Sequence, residues 1–550
     1  MLFCLVAAGA FGIEEMIPEA GPGMTLLLLT IFPIIWALPL SNLVAEASSL
    51  LPSEGGIYIW AREAFGEFWG FQAGWWETMA AYITNGVYVA LVAGYVSQMV
   101  PMSPEGILAL KVGMIVVFAT VNLMGLREVG KVSSVLSITI MLAFGLVAVV
   151  GFLNWQTNPV TPIIPADTNV LGSIGGGLCL CIWMYCGYEC ISNMAGEIEN
   201  PQVIPRGLLI AMPLIALSYV LPTVAGLASL PAGTWEMWST EGGFSGASVG
   251  YATVLTAHLG EIWGYVFLIV AIVSQCAIFN TYLASGSRGL FVLANDHLCP
   301  PVFAKVSRKH GVPFVGILSL AIVTLFVAQS DFTTLVTMEV MFLLSMYIIL
   351  PFSLIKLRKK VPVEERKARG LYVVPGGKVG FTVSCILVVG IATLAILTNG
   401  TDHLAMGMIA IATGPVAYVV FKKSYGGLTA NDPVRHPINP ATRLAHGDIM
   451  RIGAFGCIVG GGAFLAQFWL RWYETECCGW TAADYVVFAD IIPQVHDILF
   501  WCGLLAVTCG IIAVAWAYRH DHPDPDHVGV ETELGINTDV VPADPILDPA

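Results

Sequence analysis

The sequence predicts an all-α integral membrane protein with about 14 transmembrane helices, 12 of them followed by a C-terminal pair. Three observations support this class. Of the 550 residues, 57% are hydrophobic and only 11% are charged, and the mean hydropathy is +0.78. Apolar runs of ~20 residues, the length that spans a bilayer, recur along most of the chain. Two of these runs are interrupted by glycine, with a glutamate close behind.

The apolar runs divide the chain into five regions. We expect five helices within residues 1–153, five more within 172–355, helices 11 and 12 within 379–421, an appended pair within 448–518 and a tail at 519–550. The first ten helices are predicted at 1–17, 24–45, 69–99, 106–124, 132–153, 172–195, 207–229, 260–290, 313–329 and 333–355. Met1 opens directly into an apolar run, so helix 1 is expected to lack its first turns. Pro33 and Pro39 are expected to kink helix 2.

The first and sixth helices are both predicted to be broken within the membrane. The first break falls at Gly9-Ala10-Phe11-Gly12, ahead of Glu14 and Glu15, and the second falls at Gly187, ahead of Glu189. A carboxylate at that depth is costly, so it must face protein or water. Corresponding breaks in two sets of five helices predict a 5+5 inverted repeat, with a binding site at the breaks near the midplane.

The Lys and Arg residues indicate how the chain is oriented. If the start of helix 1 is inside, all but two of the 24 lie in cytoplasmic segments, the exceptions being Lys111 and Arg471. Basic residues concentrate on the cytoplasmic side of membrane proteins. The sequence therefore predicts a multi-pass protein of the cell membrane (plasma or inner), with both termini in the cytoplasm.

Composition and motifs exclude several other classes. Much of the net charge of −14 lies in the acidic, Pro-rich tail after Tyr518, which is expected to be solvated and disordered. A membrane sensor that docks a partner through this tail is a distant alternative to a carrier. The 13 cysteines include no CxxC pair, and we find no P-loop, HExxH motif or nucleophile elbow. We therefore expect no enzyme activity, cofactor, metal or nucleic-acid partner.

Several motifs together point to a known family. Gly187-Tyr-Glu and Ala195-Gly-Glu-Ile-Glu-Asn-Pro lie in and after the sixth helix, Ala294-Asn-Asp-His-Leu-Cys-Pro follows the eighth, and Pro52-Ser-Glu-Gly-Gly-Ile-Tyr precedes the third. In these places the chain resembles the amino acid–polyamine–organocation superfamily. The resemblance covers roughly residues 1–420 and implies the leucine-transporter-type fold, with helices 1 and 6 broken.

One branch of this superfamily is the closest in appearance. Ala10-Phe-Gly-Ile-Glu-Glu resembles the Pro-Phe-Gly-Ile-Glu-Asp of the polyamine–proton symporters, and Glu339 falls where that branch also carries a glutamate. The chain departs from the branch in helix 3, where Thr84 replaces an acid beside Asn85. This departure argues against a polycationic substrate.

The resemblance implies a substrate site at the two breaks. Amides at the start of a half-helix suit an anionic group, and carbonyls at the end of the other half suit a cation. Aromatic faces can hold an alkyl chain or a cation. The alternatives are close helix packing for the small residues, a core or lipid-facing role for the aromatic residues and helix bridging for the asparagine. The candidate substrate-binding residues are Gly9, Ala10, Phe11, Gly12, Asn85, Trp183, Gly187 and Tyr282.

Four carboxylates are candidates for proton coupling or cation binding, namely Glu189, Glu14, Glu15 and Glu339. A buried carboxyl group holds its proton firmly and releases it when an ammonium approaches, so proton and substrate can sense each other. Structural ion pairing is the alternative role. Sodium coupling is less favoured, because we can name only Ser285 and Ser287 as oxygen ligands, and serines often bond back to their own helix.

These observations together predict a secondary active transporter of amino acids or polyamines, coupled to protons by symport. An amino-acid or amine exchanger is the alternative. The expected partners are the small-molecule substrate, protons and membrane lipid. The oligomeric state is left open, as is the role of the appended pair, which either packs as a hairpin or mediates oligomerisation.

Overall fold

The computed structural model describes residues 10–52, 55–125, 129–187, 204–240, 249–434, 436–485 and 488–521. Eleven helices in this part of the chain are long and apolar enough to cross a membrane. Two shorter apolar helices accompany them, at Val170–Met184 and Phe314–Val327. The prediction of an all-helical, multi-pass membrane protein is therefore confirmed.

The helices of residues 10–153 are α1 (Ile13–Ala20), α2 (Pro22–Leu50), α3 (Gly56–Phe65), α4 (Glu67–Met99), α5 (Pro104–Leu123) and α6 (Val129–Leu153). Those of residues 170–360 are α7 (Val170–Met184), α8 (Ile204–Ser229), α9 (Tyr251–Leu259), α10 (Glu261–Asn295), α11 (Phe314–Val327) and α12 (Phe332–Lys360). After them come α13 (Val363–Ala368), α14 (Gly377–Thr398), α15 (Thr401–Tyr425), α16 (Asp448–Trp472) and α17 (Ile492–His520), with a four-residue helix, Leu428–Asn431, between α15 and α16.

Helix α4 lies at the centre of the bundle. It packs against both α10 and α12, and its buried face includes Asn85 and Thr84. Outer helices instead expose large apolar side chains, as α5 does at Val117 and α11 at Phe326. Such exposed apolar surface is what lipid covers in a membrane protein.

A π-helical turn interrupts helix α2 at the first of the two prolines that were predicted to kink it. Pro33 begins a π-helical turn, Pro33–Ala37, between two α-helical halves. Proline lacks the amide that an α-helix needs at that position, so the backbone widens locally and then resumes its α-helical pattern at Leu38.

A buried ion cluster joins α2, α12 and α13. The Glu46 carboxylate accepts two hydrogen bonds from Arg358, at 2.7 and 2.5 Å, and one from Arg366 at 2.6 Å. It also accepts the backbone amide of Val374 at 2.8 Å. Glu46 and Arg366 are fully buried, so this cluster anchors the basic link after α12 to the bundle.

The appended helices α16 and α17 pack closely against each other through glycines. A Cβ atom added to Gly510 would lie 2.5 Å from the carbonyl oxygen of Gly453, and one added to Gly503 would lie 2.7 Å from that of Gly460. Only glycine allows two helix backbones to approach so closely. The pair also contacts α15, so it forms a hairpin attached to the bundle.

Candidate substrate-binding site

The two predicted interruptions lie at left-handed glycines. Helix α7 ends at Met184, and Gly187 follows with φ 91°. Helix α1 begins at Ile13, directly after Gly12 with φ 93°. A glycine lacks the Cβ that makes this conformation costly for other residues. The predicted site residues Gly9 and Glu189 lie outside the described residues.

A cavity lies beside the end of α7. Its walls come from that end, from the middle of α4 and from facing stretches of α10 and α12. Polar residues among those that line it are Glu77, Thr84, Tyr282, Ser285, Arg288 and Glu339. The predicted residues Gly187, Tyr282 and Glu339 therefore share one cavity.

A carboxylate and a hydroxyl form the polar contact between α4 and α12 in this cavity. The hydroxyl of Thr84 donates to Oε1 of Glu339 at 2.6 Å, and Glu339 is only 2% exposed. The same hydroxyl lies 2.9 Å from the carbonyl of Ala80, one turn earlier in its own helix. This contact holds the carboxylate at the cavity wall.

An aromatic cluster connects the cavity to the first break. The rings of Tyr282 and Tyr88 lie 5.3 Å apart, and Tyr88 lies 6.3 Å from Trp183. Trp183 meets Phe332 edge to face at 5.4 Å. A Cβ atom on Gly12 would lie 2.7 Å from Phe332 and 3.4 Å from Trp183, so both rings pack against this break. Trp183 lies beside the cavity and is not among the residues that line it.

Side chains of the protein itself fill the space around the first predicted break. Ala10 and Phe11 are fully buried, and the Phe11 ring packs against aromatic residues of α4, α6 and α10. The Glu14 carboxylate accepts the amide of Gly12 at 2.9 Å. Glu14 is 1% exposed and is separate from the residues that line the cavity.

Glu15 points to the segment before α9 instead. Its Oε1 accepts the hydroxyl of Ser239 at 2.9 Å and both the amide and the hydroxyl of Thr240 at 2.6 Å. Glu15 therefore holds a connecting segment, and neither Glu14 nor Glu15 is among the residues that line the cavity with Glu339.

Asn85 is fully buried in α4 and is not among the residues that line the cavity. Its side-chain amide donates to the carbonyl of Ala81 in its own helix at 2.7 Å, and Oδ1 has no hydrogen-bond partner among the described residues. The two serines considered as sodium ligands also bond to their own helix, Ser285 at 3.4 Å and Ser287 at 2.7 Å.

Thr84, Glu77 and Arg288 line the cavity and were not among the predicted site residues. The signal for the last two was available, since each is an ionisable residue within a predicted membrane span, where such residues usually have a role. Thr84 was noticed only as a departure from the polyamine–proton symporter pattern. The structure makes it the hydrogen-bond partner of Glu339.

A bundle of apolar, membrane-length helices around a cavity lined by a few ionisable residues is typical of a membrane carrier. The sequence model of the amino acid permease family matches residues 1–420. The chain belongs to this family and is a permease rather than an enzyme. The superfamily predicted from the motifs is thereby confirmed, and α16 and α17 lie outside the matched residues.

Curated relatives include both polyamine and amino acid carriers. The chain is 29% identical to a probable polyamine transporter of Arabidopsis thaliana, over 76% of this chain and 82% of the relative. It is 27% identical to a polyamine transporter of Oryza sativa subsp. japonica, over 74% of this chain and 76% of the relative. A branched-chain amino acid permease of Bacillus subtilis is 25% identical, over 72% of this chain and 85% of the relative.

Proposed function

We propose that the chain is a secondary active transporter of small organic amines, and of polyamines in particular. The observation that carries this proposal is the Glu339 carboxylate, which lines the cavity and is held there by Thr84. An ammonium group has three N–H donors and forms strong, charge-assisted hydrogen bonds with a carboxylate. Similarity to named polyamine transporters supports the same class of substrate.

The other residues of the cavity suit a substrate with amines at both ends. Glu77 is a second carboxylate in the lining, and Tyr282 adds an aromatic ring to it. A methylene chain packs well on such a ring, and a cation is attracted to its face. We assign Glu339 to one ammonium and Tyr282 to the chain. Trp183, Gly187 and Asn85 are proposed to shape the site around them.

An amino acid is the second candidate substrate. Arg288 lines the cavity, and a guanidinium is well suited to bind a carboxylate. Similarity to a branched-chain amino acid permease points the same way. With Glu339 for the amine and Arg288 for the carboxylate, the cavity would hold a zwitterion across its width.

We further propose the leucine-transporter-type arrangement of 5+5 inverted repeats within a total of about 14 spans. The left-handed glycines at Gly12 and Gly187, each next to a helix end, support it. Residues 1–153 and 172–355 would be the two repeats, 379–421 helices 11 and 12, and 448–518 the appended pair. The tail at 519–550 is proposed to be solvated.

Proton-coupled symport is the proposed mode of transport, with exchange as the alternative. Glu14 and Glu339 are buried carboxyl groups beside the break and the cavity, which supports their roles as proton carriers. Glu189 is proposed as a third proton carrier and Glu15 as a fourth. Sodium is less favoured, because Ser285 and Ser287 bond to their own helix. We place the protein in the plasma or inner membrane, with both termini cytoplasmic.

Uptake into proteoliposomes tests this function. Purified protein is reconstituted, a pH gradient is imposed, and uptake of labelled putrescine, spermidine, arginine and leucine is compared. We expect gradient-dependent accumulation of putrescine and spermidine that is abolished by a protonophore. Preferential accumulation of leucine would exclude the amine proposal in favour of an amino acid carrier. Putrescine uptake that requires internal putrescine and ignores the gradient would indicate exchange.

A further inference from the structure

We propose that Glu14 is a specificity-determining residue that keeps substrates with a carboxylate out of the first break. The inference rests on the proposed amine transport and deepens it, because it explains why an amine would be accepted and its parent amino acid rejected. It follows from how the backbone amides at the start of α1 are used.

A broken helix ordinarily offers its free amides to an anion. The first amides of a helix lack partners within the helix, and in carriers with interrupted helices they point at the anionic group of the substrate. In this chain the Gly12 amide donates instead to Oε2 of Glu14, at 2.9 Å. The chain thus supplies its own carboxyl group at the place where a substrate carboxylate would bind.

The neighbouring amides are also engaged. The Ile13 amide donates to the carbonyl of Ala10 at 3.3 Å, and the Glu15 amide donates to that of Gly12 at 3.4 Å. Both are tight-turn bonds that close the start of α1 on itself. At residues 12, 13 and 15 an incoming carboxylate would therefore have to displace an existing acceptor.

The Glu14 carboxyl group is held firmly in this position. Its second oxygen accepts the hydroxyl of Tyr95 at 3.3 Å, and the side chain is 1% exposed. Tyr95 in turn packs edge to face against Phe11, 5.7 Å away. No Lys, Arg or His forms an ion pair with Glu14 within the part of the chain that the structure describes.

Glu14 excludes a substrate carboxylate from the Gly12 amide in either of its protonation states. The neutral carboxyl group still fills the amide site, and the ionised group adds repulsion between like charges at short range. The Glu339 carboxylate lines the separate cavity, where we propose that it binds an ammonium. A diamine therefore needs no amide of α1, whereas an amino acid finds the Gly12 amide already bonded to Glu14 and keeps only Arg288 as a partner for its carboxylate.

Two matched ligand pairs test this inference, because each differs only by one carboxylate. Ornithine loses its carboxylate to give putrescine, and arginine loses it to give agmatine. Binding of all four is measured by calorimetry with purified wild-type protein, Glu14→Ala, Glu14→Gln and Glu339→Gln. We expect the wild type to bind each amine at least roughly tenfold more tightly than its parent amino acid.

The variants separate the possible roles. Glu14→Ala vacates the Gly12 amide and should reduce the amine preference by roughly tenfold. Glu14→Gln keeps an acceptor for that amide and should reduce it less. Equal affinity for both members of each pair in the wild type, an unchanged preference in Glu14→Ala, or the same reduction in Ala and Gln would each overturn the inference.

The results that would refute the proposed amine transport differ from those that would refute the role of Glu14. Glu339→Gln should weaken both members of a pair alike, since both carry the amine, and should leave their ratio unchanged. If neither amine binds the wild type, the amine proposal fails and this inference fails with it. If both amines bind and depend on Glu339 while the ratio ignores Glu14, only this inference is overturned.

Discussion

Replacing Glu339 by glutamine should weaken diamine binding strongly while leaving the fold intact. Glutamine has the same shape and keeps an oxygen that can accept the Thr84 hydroxyl, now 2.6 Å from Oε1. The substitution removes only the charge of a side chain that is 2% exposed and lines the cavity. Any loss of affinity therefore reports on the charge.

The size of the effect can be estimated from this burial. A carboxylate and an ammonium ~3 Å apart attract each other by about 5 kcal/mol at an effective dielectric constant of ~20. The loss of hydration of both groups offsets much of this attraction. Hydrogen bonds to charged groups contribute a net ~1.5–3 kcal/mol, so the Kd for putrescine should rise by roughly 10- to 150-fold.

Calorimetric titration of putrescine into purified protein measures this directly. Thr84→Val keeps the shape of Thr84 but removes the hydroxyl that holds Glu339, so a smaller rise of about fivefold is expected. Glu365→Gln is the matched control, because its carboxylate is 44% exposed, pairs with Arg369 at the surface and does not line the cavity. An unchanged Kd in Glu339→Gln, or an equal rise in the Glu365 control, would refute the assignment.

Two further predictions concern stability, and thermal unfolding in detergent checks both. Glu46→Gln removes the counter-charge of the buried Arg366 and of the partly buried Arg358, so a loss of about 3–5 kcal/mol is expected. Glu365→Gln, at an exposed pair, should lose less than ~1 kcal/mol. Similar losses in the two variants would contradict the buried cluster. Gly510→Ala places a Cβ atom 2.5 Å from the Gly453 carbonyl oxygen and should cost ~1–3 kcal/mol, whereas Gly462→Ala, with nothing within 4 Å, should be neutral. If the two alanine variants unfold alike, the glycine-mediated packing of α16 on α17 is wrong.

The positions of the membrane helices were predictable because hydrocarbon imposes a length and a composition on each span. The prediction of a helix at 69–99 compares with Glu67–Met99, and that at 260–290 compares with Glu261–Asn295. The short helix Tyr251–Leu259 was not predicted. It lies between a loop and a long span, and its nine residues are too few for a membrane-length signal.

Pairings between distant residues were the least predictable part of the site. Thr84 and Glu339 are 255 positions apart, and nothing local to either marks the other as its partner. The missing acid beside Asn85 argued against a polycation on the sequence alone. In the structure Thr84, which occupies that position, donates its hydroxyl to Glu339, so the other acid of the branch pattern lies against this turn of α4.

The distribution of charge along the sequence also did not reveal that two arginines have a structural role. The basic link after α12 was used to orient the protein, which treats its residues as equivalent. Arg358 and Arg366 instead bind Glu46 in the interior, and Arg366 is fully buried. Burial depends on how three elements meet, so a count of charges could not separate these two from their exposed neighbours.

An experimental structure with bound putrescine is the most direct test of the amine site. We expect one ammonium within ~3 Å of the Glu339 carboxylate, with the methylene chain beside Tyr282 and the Gly12 amide still bonded to Glu14. A diamine found against the start of α1, with Glu339 contacting only Thr84, would contradict the assignment of the site.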